Sequence, residues 1–214
     1  MRKINPETWN RRDIFSFYSR LSDPIYSVSF TADVTGVYRY SRSRHLSFYC
    51  SMIHVCTAAL NSIENFRYVV RDGDVYLLDA RRPSFTDLRP GEELFHITTV
   101  DAMDDLDAFV ATAKARSLAQ TCFLEESDEG DDLIFFSCLP QLRMTGFTGA
   151  GDRGSRSRND SNIPSVLWGR WEETDGRIQL CLFVEVNHRF VDGLHVSRFA
   201  EQVEALSRAL EQRL

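Results

Sequence analysis

A histidine ends an alternating apolar segment near the C-terminus, and an aspartate and a glycine follow it closely. Apolar residues alternate along residues 177–188, and His188 continues the parity of the apolar positions. Asp192 and Gly193 come next, before a helical pattern begins. This order predicts an imidazole at the end of a strand, where a side chain with a pKa of about 6.5 can act as a general base. A histidine packed at the end of the core face is the alternative.

Asp192 has three possible roles in this arrangement. Its carboxylate could accept a hydrogen bond from His188, pair with Arg11 or Arg12 from the other end of the chain, or cap the last helix. An aspartate before a helix is a favoured N-cap, so we expect a structural role rather than direct proton transfer.

Ser137 is the second candidate for chemistry. It lies in the apolar segment 131–140, where its hydroxyl could donate to a developing oxyanion or be a satisfied polar group in the core. The chain has no G-x-S-x-G sequence, so we do not interpret Ser137 as a nucleophile. Cys138 and Cys181 are alternative nucleophiles with His188 as base, but no neighbour in the sequence indicates a lowered thiol pKa.

Composition narrows the class of protein. The 214 residues are 43% hydrophobic and include 15 phenylalanines, which predicts one globular domain over residues 1–214 with an aromatic-rich core. A net charge of -6 argues against nucleic-acid binding. No apolar run approaches the length of a membrane span and none follows Met1–Pro6, so we expect a cytoplasmic protein. The five cysteines form no C-x-x-C pair and the histidines show no metal-ligand spacing, so no metal is expected.

Apolar periodicity and turn residues predict the secondary structure. The predicted helices are 9–18 (N-cap Asn10; apolar side Ile14, Phe17, Tyr18 and Leu21), 41–65, 104–120 and 196–214. The predicted strands are 25–34, 66–70, 75–78, 84–88, 94–100, 131–140, 164–171 and 177–188, with hairpin turns at Asp72-Gly73 and Asp175-Gly176.

This order predicts an α+β fold. It is a two-layer sandwich in which helices pack on a mixed, mainly antiparallel sheet, because hairpin turns dominate the connections. The segment 145–162 is rich in glycine and contains Arg153, Arg156 and Arg158. It has no periodicity, so we interpret it as a surface loop, with binding of an anionic ligand as the alternative.

Several motifs resemble the chloramphenicol acetyltransferases, in order along nearly the whole chain. They are Trp9-x-Arg11-Arg12-Asp13-x-Phe15-x-Phe17-Tyr18, Pro24-x-Tyr26-Ser27, Asp33-Val34-Thr35, Phe48-Tyr49-x-x-Met52-Ile53, Ser137-x-Leu139-Pro140 and His188-x-x-x-Asp192-Gly193-x-His195-Val196. Together they are specific, whereas H-x-x-x-D-G alone occurs in several acyl-transfer families.

The resemblance implies a homotrimer with acyl-transfer sites at the subunit interfaces and acetyl-CoA as donor. It implies that His188 is the general base, that Ser137 stabilises the oxyanion, and that Asp192 pairs with Arg11. It implies direct transfer to a hydroxyl of chloramphenicol or a related small molecule, and hence a part in antibiotic resistance. Arg170 matches a basic position near CoA in the family, where its charge could meet a phosphate.

The departures from the family pattern fall on the acceptor side. Asn187 replaces the first of two adjacent histidines, Leu167 replaces a threonine, and Trp171 replaces a tyrosine near the acceptor. Residues that could line the acceptor pocket are Tyr26, Phe95, Phe136, Leu167 and Trp171.

Three alternatives remain beside this reading. The segment Asn187-His188-Arg189-x-Val191-Asp192-Gly193 also resembles the motif of dihydrolipoamide acyltransferase cores, which usually carry upstream lipoyl segments. An acyltransferase of the same fold could act on a different metabolite. A trimer that binds ligand but is catalytically weakened is the alternative from another functional class.

Overall fold

The computed structural model describes residues 1–125, 128, 130–148 and 162–214. Its helices are α1 (Arg12–Tyr18), α2 (Thr35–Ser43), α3 (Phe48–Asn61), a 3-10 helix (Glu64–Arg67), α4 (Leu106–Ala119) and α5 (Gly193–Glu211). Its strands are β1 (Arg2–Lys3), β2 (Ile25–Asp33), β3 (Tyr68–Arg71), β4 (Asp74–Leu77), β5 (Arg82–Asp87), β6 (His96–Thr99), β7 (Leu133–Cys138), β8 (Ser165–Trp168), β9 (Glu172–Thr174) and β10 (Arg177–Asn187). Arg153, Arg156 and Arg158 of the predicted loop 145–162 lie outside the described residues.

The main sheet has seven strands in the order β2-β10-β8-β7-β5-β6, with β9 also paired to β10. The β10 strand is antiparallel to β2, β8 and β9, and β5 is antiparallel to β6, whereas β7 runs parallel to both β5 and β8. Helices α2, α3, α4 and α5 contact this sheet. The predicted α+β sandwich with a mixed, mainly antiparallel sheet is therefore confirmed.

The strand that leads to the histidine lies inside the sheet, between β2 and β8. Its alternate residues point into the core and are at most 4% exposed; they are Ile178, Leu180, Leu182, Val184 and Val186. Two positive-φ residues form each predicted hairpin turn, at Asp72-Gly73 and at Asp175-Gly176, which is the backbone that a tight hairpin requires. The alternation and the hairpins predicted from the sequence are confirmed.

The prediction of one helix over residues 41–65 is wrong. The chain forms α2 and α3 instead, and His45 between them adopts a left-handed φ of 56° that no helix interior tolerates. Ser47 then caps α3, because its Oγ accepts the N–H of Cys50 at 3.3 Å. The start of α2 also had a local signal, since Asp33 Oδ1 accepts both the N–H and the hydroxyl of Thr35.

Two predictions about α1 are also wrong. The helix begins after Arg11 with no side-chain cap, so Asn10 is not its N-cap. The predicted apolar side is largely open in the single chain, where Ile14 is 40% and Phe17 55% exposed. Phe15 packs inward instead, with its ring 5.4 Å from that of Phe190.

The predicted strand 164–171 is interrupted at Gly169. Its neighbour Arg170 donates its N–H to the Leu142 carbonyl at 2.7 Å, so the chain leaves the sheet before β9 begins. A Cβ at position 169 would lie 2.4 Å from the Leu142 carbonyl oxygen, and only glycine allows this close approach.

Among the described helices, none combines the length and apolar character that crossing a bilayer requires.

The packing of α2 on α5 gives a stability prediction. A Cβ on Gly36 would lie 1.8 Å from the Ser207 carbonyl oxygen on α5. Gly36→Ala should therefore separate the two helices and lower the free energy of unfolding by about 1–3 kcal/mol, measured by urea unfolding. Gly146→Ala is the matched control, because no described heavy atom lies within 4 Å of its added Cβ. Equal stability of the two variants would contradict this account.

Candidate active site

His188 lies directly after β10, and the sheet fixes its backbone. Asn187 pairs with Ile25 of β2, and the His188 N–H donates to the Pro24 carbonyl at 2.9 Å. The ring follows the inward parity of β10 at the point where the core ends, so its side chain remains 31% exposed. This position combines a fixed backbone with access for a substrate.

Two tyrosines hold the imidazole of His188. The Tyr18 ring stacks on it with centroids 4.1 Å apart and planes 10° apart, and the Tyr26 ring lies 4.5 Å away on a tilt. The Tyr18 hydroxyl is 3.2 Å from Nε2. Nε2 is therefore the ring nitrogen beside which a substrate hydroxyl could replace the hydroxyl of Tyr18.

Arg11 and Asp192 form a bidentate ion pair beside this ring. The guanidinium donates to both carboxylate oxygens, from NH1 to Oδ2 at 2.6 Å and from NH2 to Oδ1 at 2.5 Å. It also donates to the carbonyls of His188 and Arg189, at 3.1 and 2.8 Å. Arg11 is only 6% exposed, and its N–H groups donate their hydrogen bonds to the turn that follows β10.

Asp192 therefore has two of the roles that its position in the sequence allowed. It occupies the N-cap position of α5, where its N–H donates to Nδ1 of His195 at 2.9 Å, and its carboxylate binds Arg11. His188 Nδ1 lies 3.2 Å from Asp192 Oδ1, but the angles do not form a hydrogen bond. We therefore assign Asp192 to holding the turn rather than to accepting a proton.

The ion pair sets the electrostatics of this cluster. Hydrogen bonding to Arg11 holds the pKa of Asp192 below its usual value. Burial, reinforced by the charge of Asp192, raises the pKa of Tyr26 to about 12, so its hydroxyl stays protonated and donates to the Val191 carbonyl at 3.2 Å. Burial and the nearby Arg11 lower the pKa of His195, which favours the neutral ring as acceptor of the Asp192 N–H.

Ser137 lies on β7, at the edge of two cavities. Its Oγ is 3.1 Å from Thr86 Oγ1 on the neighbouring strand β5. The larger cavity measures about 660 Å³ and its wall includes Phe95, Arg170 and Trp171. Four of the residues predicted for the site, counting Ser137, therefore share one cavity.

The smaller cavity, of about 370 Å³, includes Ser137, Leu167 and Phe136 in its wall. The Phe136 ring itself packs into the core, 6.2 Å from Trp168, and the residue is 2% exposed. Its neighbour Phe135 is 42% exposed and lines the same cavity, so Phe135 is the better candidate for contact with a ligand.

The single chain does not bring Ser137 and His188 together. Ser137 pairs with Leu167, which pairs with Phe183, five residues before His188 and two strands away from Ser137. With strands 4.8 Å apart and a rise of 3.3 Å per residue, the two Cα atoms are roughly 20 Å apart. We call the cluster of His188, Tyr18 and Tyr26 the histidine half-site, and Ser137 with its cavities the serine half-site.

The cysteine alternative finds no support in the structure. Burial raises the pKa of Cys138 to about 12 and also raises the pKa of Cys181. Both thiols are therefore protonated near neutral pH, whereas the thiolate is the nucleophile. Within the described residues, no three His, Cys, Asp or Glu side chains are grouped so that they could hold a metal ion.

Two residues near the chemistry were not among the predicted site residues. Tyr18 stacks on His188, and Thr86 contacts Ser137. Tyr18 stood in the sequence as part of an apolar helix face, which gave no reason to separate it from core residues. Thr86 gave no signal, because only the parallel pairing of β5 with β7 places it beside Ser137.

Comparison with known proteins places this chain among acyltransferases. The family model for chloramphenicol acetyltransferase matches residues 1–204, so the chain belongs to the chloramphenicol acetyltransferase family. The resemblance stated from the motifs and the acyltransferase class are thereby confirmed.

Similar proteins match over nearly their full lengths. A chloramphenicol acetyltransferase of Clostridium perfringens is 26% identical over 97% of this chain and 95% of its own, and one of Streptomyces acrimycini is 28% identical over 95% and 92%. A solved chloramphenicol acetyltransferase structure superposes with a TM-score of 0.86 at 25% identity, covering 96% of this chain and 99% of its own. Dihydrolipoamide acetyltransferase of Azotobacter vinelandii shares the fold, with a TM-score of 0.67 at 17% identity over 91% of this chain and 86% of its own.

The Arg11–Asp192 pair leads to a coupling prediction. Arg11→Ala leaves a partly buried carboxylate without its guanidinium and should cost about 2–4 kcal/mol of unfolding free energy. The Arg11→Ala, Asp192→Asn double variant should lose much less unfolding free energy than the two single variants lose in sum, because both substitutions remove the same ion pair. Urea unfolding of the four proteins measures the coupling, and additive losses would contradict it.

The same experiment has a pH dependence with a defined sign. The pKa of Asp192 is lowered in the folded state, so its stabilisation is complete above the unfolded value of about 3.9 and is lost as pH falls through the folded value. The difference in stability between wild type and Asp192→Asn should therefore shrink below about pH 4.

Proposed function

We propose that this protein transfers an acetyl group from acetyl-CoA to a hydroxyl of chloramphenicol or a related small molecule. His188 Nε2 takes the proton of the acceptor hydroxyl while the oxygen of that hydroxyl bonds to the thioester carbonyl carbon. Ser137 donates to the resulting oxyanion. The carbon–sulfur bond then breaks, and the CoA thiolate takes the proton from His188. Residues 1–214 act as one acyltransferase domain, and the enzyme works in the cytoplasm.

The placement of His188 is the observation that carries this proposal. A partly exposed imidazole stands at a strand end with Nε2 next to a hydroxyl, and two aromatic rings fix its plane. General bases act when the accepting atom and the proton are within hydrogen-bond reach, and a substrate hydroxyl can replace that of Tyr18. Arg11 and Asp192 act as positioning residues, because they hold the turn that presents the ring.

The larger cavity fits an acyl-CoA donor. Its wall is mainly apolar, which suits a flexible arm, and Ser137 borders it where a thioester carbonyl would be activated. Arg170 is exposed on the same wall and could bind a CoA phosphate, while Trp171 offers a ring for stacking. Phe95 lies in this wall as well, so we assign Phe95 and Trp171 to the donor side rather than to the acceptor.

The acceptor belongs to the region where the two half-sites meet. Tyr26 from the histidine half-site and Leu167, with Phe135, from the serine half-site would line it. Leu167 is an apolar side chain, so this wall favours an acceptor with an apolar or aromatic body beside its hydroxyl. Chloramphenicol has that character, and another alcohol of the same type is the alternative acceptor.

A second copy of the chain supplies the missing half of each site in this proposal. The two half-sites are roughly 20 Å apart in one chain, and each has exposed apolar residues next to it. Ile14 and Phe17 flank the histidine half-site, and Phe135 and Leu139 flank the serine half-site. Contact between two different surfaces closes into a ring when the rotation allows, and a ring of three gives three complete sites.

His188→Ala tests the base. Turnover should fall about 10²–10⁴-fold, because the acceptor hydroxyl loses the group that takes its proton. The measurement is thiol release from acetyl-CoA with and without chloramphenicol, with His54→Ala as a control histidine outside both half-sites. Retained turnover would overturn the assignment of the base. If CoA binds to the wild type without thiol release for chloramphenicol or a panel of alcohols, the protein is instead a catalytically weakened ligand-binding trimer.

Mixing two inactive variants tests the shared site. Each site would take its histidine from one chain and its serine from the next, so random trimers of His188→Ala and Ser137→Ala chains should have about a quarter of their sites intact. Co-expression of the two variants in equal amounts should therefore recover about a quarter of wild-type turnover, while each alone stays at least about a hundredfold lower. No recovery in trimers shown to be mixed would overturn the shared site.

A further inference from the structure

Three polar groups lead from the sheet edge to the wall of the larger cavity. Ser117 Oγ on α4 donates to Asp87 Oδ2 at 2.6 Å, and His96 Nε2 lies 2.9 Å from the same Oγ. His96 is 6% and Ser117 3% exposed, so both are buried behind the cavity. Asp87, the last residue of β5, lines the cavity itself. The proposed mechanism has no use for these three side chains.

The direction of the hydrogen bonds is fixed by the number of protons. A hydroxyl has one proton, and Ser117 gives it to the carboxylate, so Ser117 must accept the N–H of His96. The Leu88 N–H donates to the other carboxylate oxygen at 2.9 Å. The carboxylate of Asp87 is thus held by two donors, and its oxygens retain acceptor sites for a ligand.

The charges in the cavity wall separate the ligand groups that each end could bind. Of the described residues in this wall, Asp87 and Arg170 are the two with charged side chains. A phosphate is attracted to the exposed Arg170 and repelled by Asp87. A carboxylate in a mostly apolar wall suits an uncharged N–H or O–H donor, which gains a charge-assisted hydrogen bond.

Strand register sets the distance from this carboxylate to the reacting group. The parallel ladder of β5 and β7 ends at Phe85 and Phe136, and the hydroxyls of the next residues, Thr86 and Ser137, are 3.1 Å apart. Continuing this register by one residue places the Cα of Asp87 about 6 Å from that of Ser137. In an acyl-CoA, the first amide N–H of the pantetheine arm follows the thioester carbonyl after the sulfur and two methylenes, about 5 Å away when extended. Asp87 follows Thr86 on β5, so its side chain points to the face opposite that of Thr86 and Ser137, and its carboxylate lies roughly 9 Å from the Ser137 hydroxyl. Both groups line the same cavity, and the arm reaches both because a hydrogen bond of about 3 Å at each end adds to its length.

We infer that Asp87 accepts a hydrogen bond from this amide N–H of the acyl-CoA donor, while Ser117 and His96 position its carboxylate. This inference rests on the proposed function and adds a residue that recognises the donor. The bond fixes the pantetheine arm one strand away from Ser137, so the thioester carbonyl lies at the serine hydroxyl. Asp87 thereby favours donors that carry an amide at this position over simple thioesters.

Asp87→Asn tests the inference, because the amide keeps the size of the side chain and removes its charge. CoA binding, measured by calorimetry, should weaken about tenfold, and the KM for acetyl-CoA should rise by a similar factor at unchanged KM for the acceptor. Ser117→Ala should give a smaller loss of the same kind. Glu93→Gln is the matched control, since it removes one carboxylate from the exposed loop after β5.

Two truncated donors separate recognition of the amide from a purely structural role. S-acetyl-N-acetylcysteamine keeps the amide N–H, and S-propyl thioacetate lacks it. Asp87→Asn should lower kcat/KM about tenfold for the first donor and leave it unchanged for the second. Equal losses for both donors would overturn the inference.

The outcomes also distinguish this inference from the proposed function. If the wild type does not bind CoA, both the donor and the role of Asp87 are wrong. If the wild type binds CoA and Asp87→Asn binds it equally well or more tightly, the inference is wrong while the donor assignment stands.

Discussion

The contact between Arg11 and Asp192 joins the two ends of the chain at the point where β10 becomes α5. A guanidinium that is 6% exposed must satisfy its donors within the protein, and it does so with one carboxylate and two carbonyls of this turn. Because Arg11 also precedes α1, the same contact places that helix and its Tyr18 ring against His188. The orientation of the imidazole therefore depends on a residue 177 positions earlier in the chain.

Local patterns in the sequence predicted the parts of the fold that local physics determines. The alternation of β10 and the two Asp-Gly hairpins appear as expected, because strand parity and positive φ are set by neighbouring residues. The break at His45 and the inward face of α1 were missed, since each depends on tertiary partners. Phe15 rather than Phe17 faces inward, for example, because Trp9 and Phe190 offer a ring surface there.

The residues of the candidate site likewise divide into those that a local motif connects and those whose positions depend on the tertiary structure. His188 and Asp192 are four residues apart, so one motif was enough to connect them. The role of Ser137 was predicted mainly through the family resemblance, and its distance of roughly 20 Å from His188 could not be predicted from the sequence. A site shared between two copies of the chain, as proposed above, explains both this distance and the exposed apolar residues beside each half-site. In the proposed trimer, the contacts that bury Phe17 and Phe135 also assemble the catalytic groups, so folding of the assembly and catalysis depend on one interface.

Strand parity also bears on whether the acetyl group is ever bound to the protein. Cys138 follows Ser137 on β7, and successive side chains of a strand point to opposite faces. The hydroxyl of Ser137 contacts Thr86, whereas Cys138 packs against the core and burial raises its thiol pKa to about 12. The thiol of Cys138, next to Ser137 in the chain, is thus protonated and directed away from the side of the strand on which the Ser137 hydroxyl lies. The described part of either half-site contains no activated nucleophile, which supports the proposed mechanism, in which the acceptor hydroxyl itself attacks the thioester and His188 takes its proton.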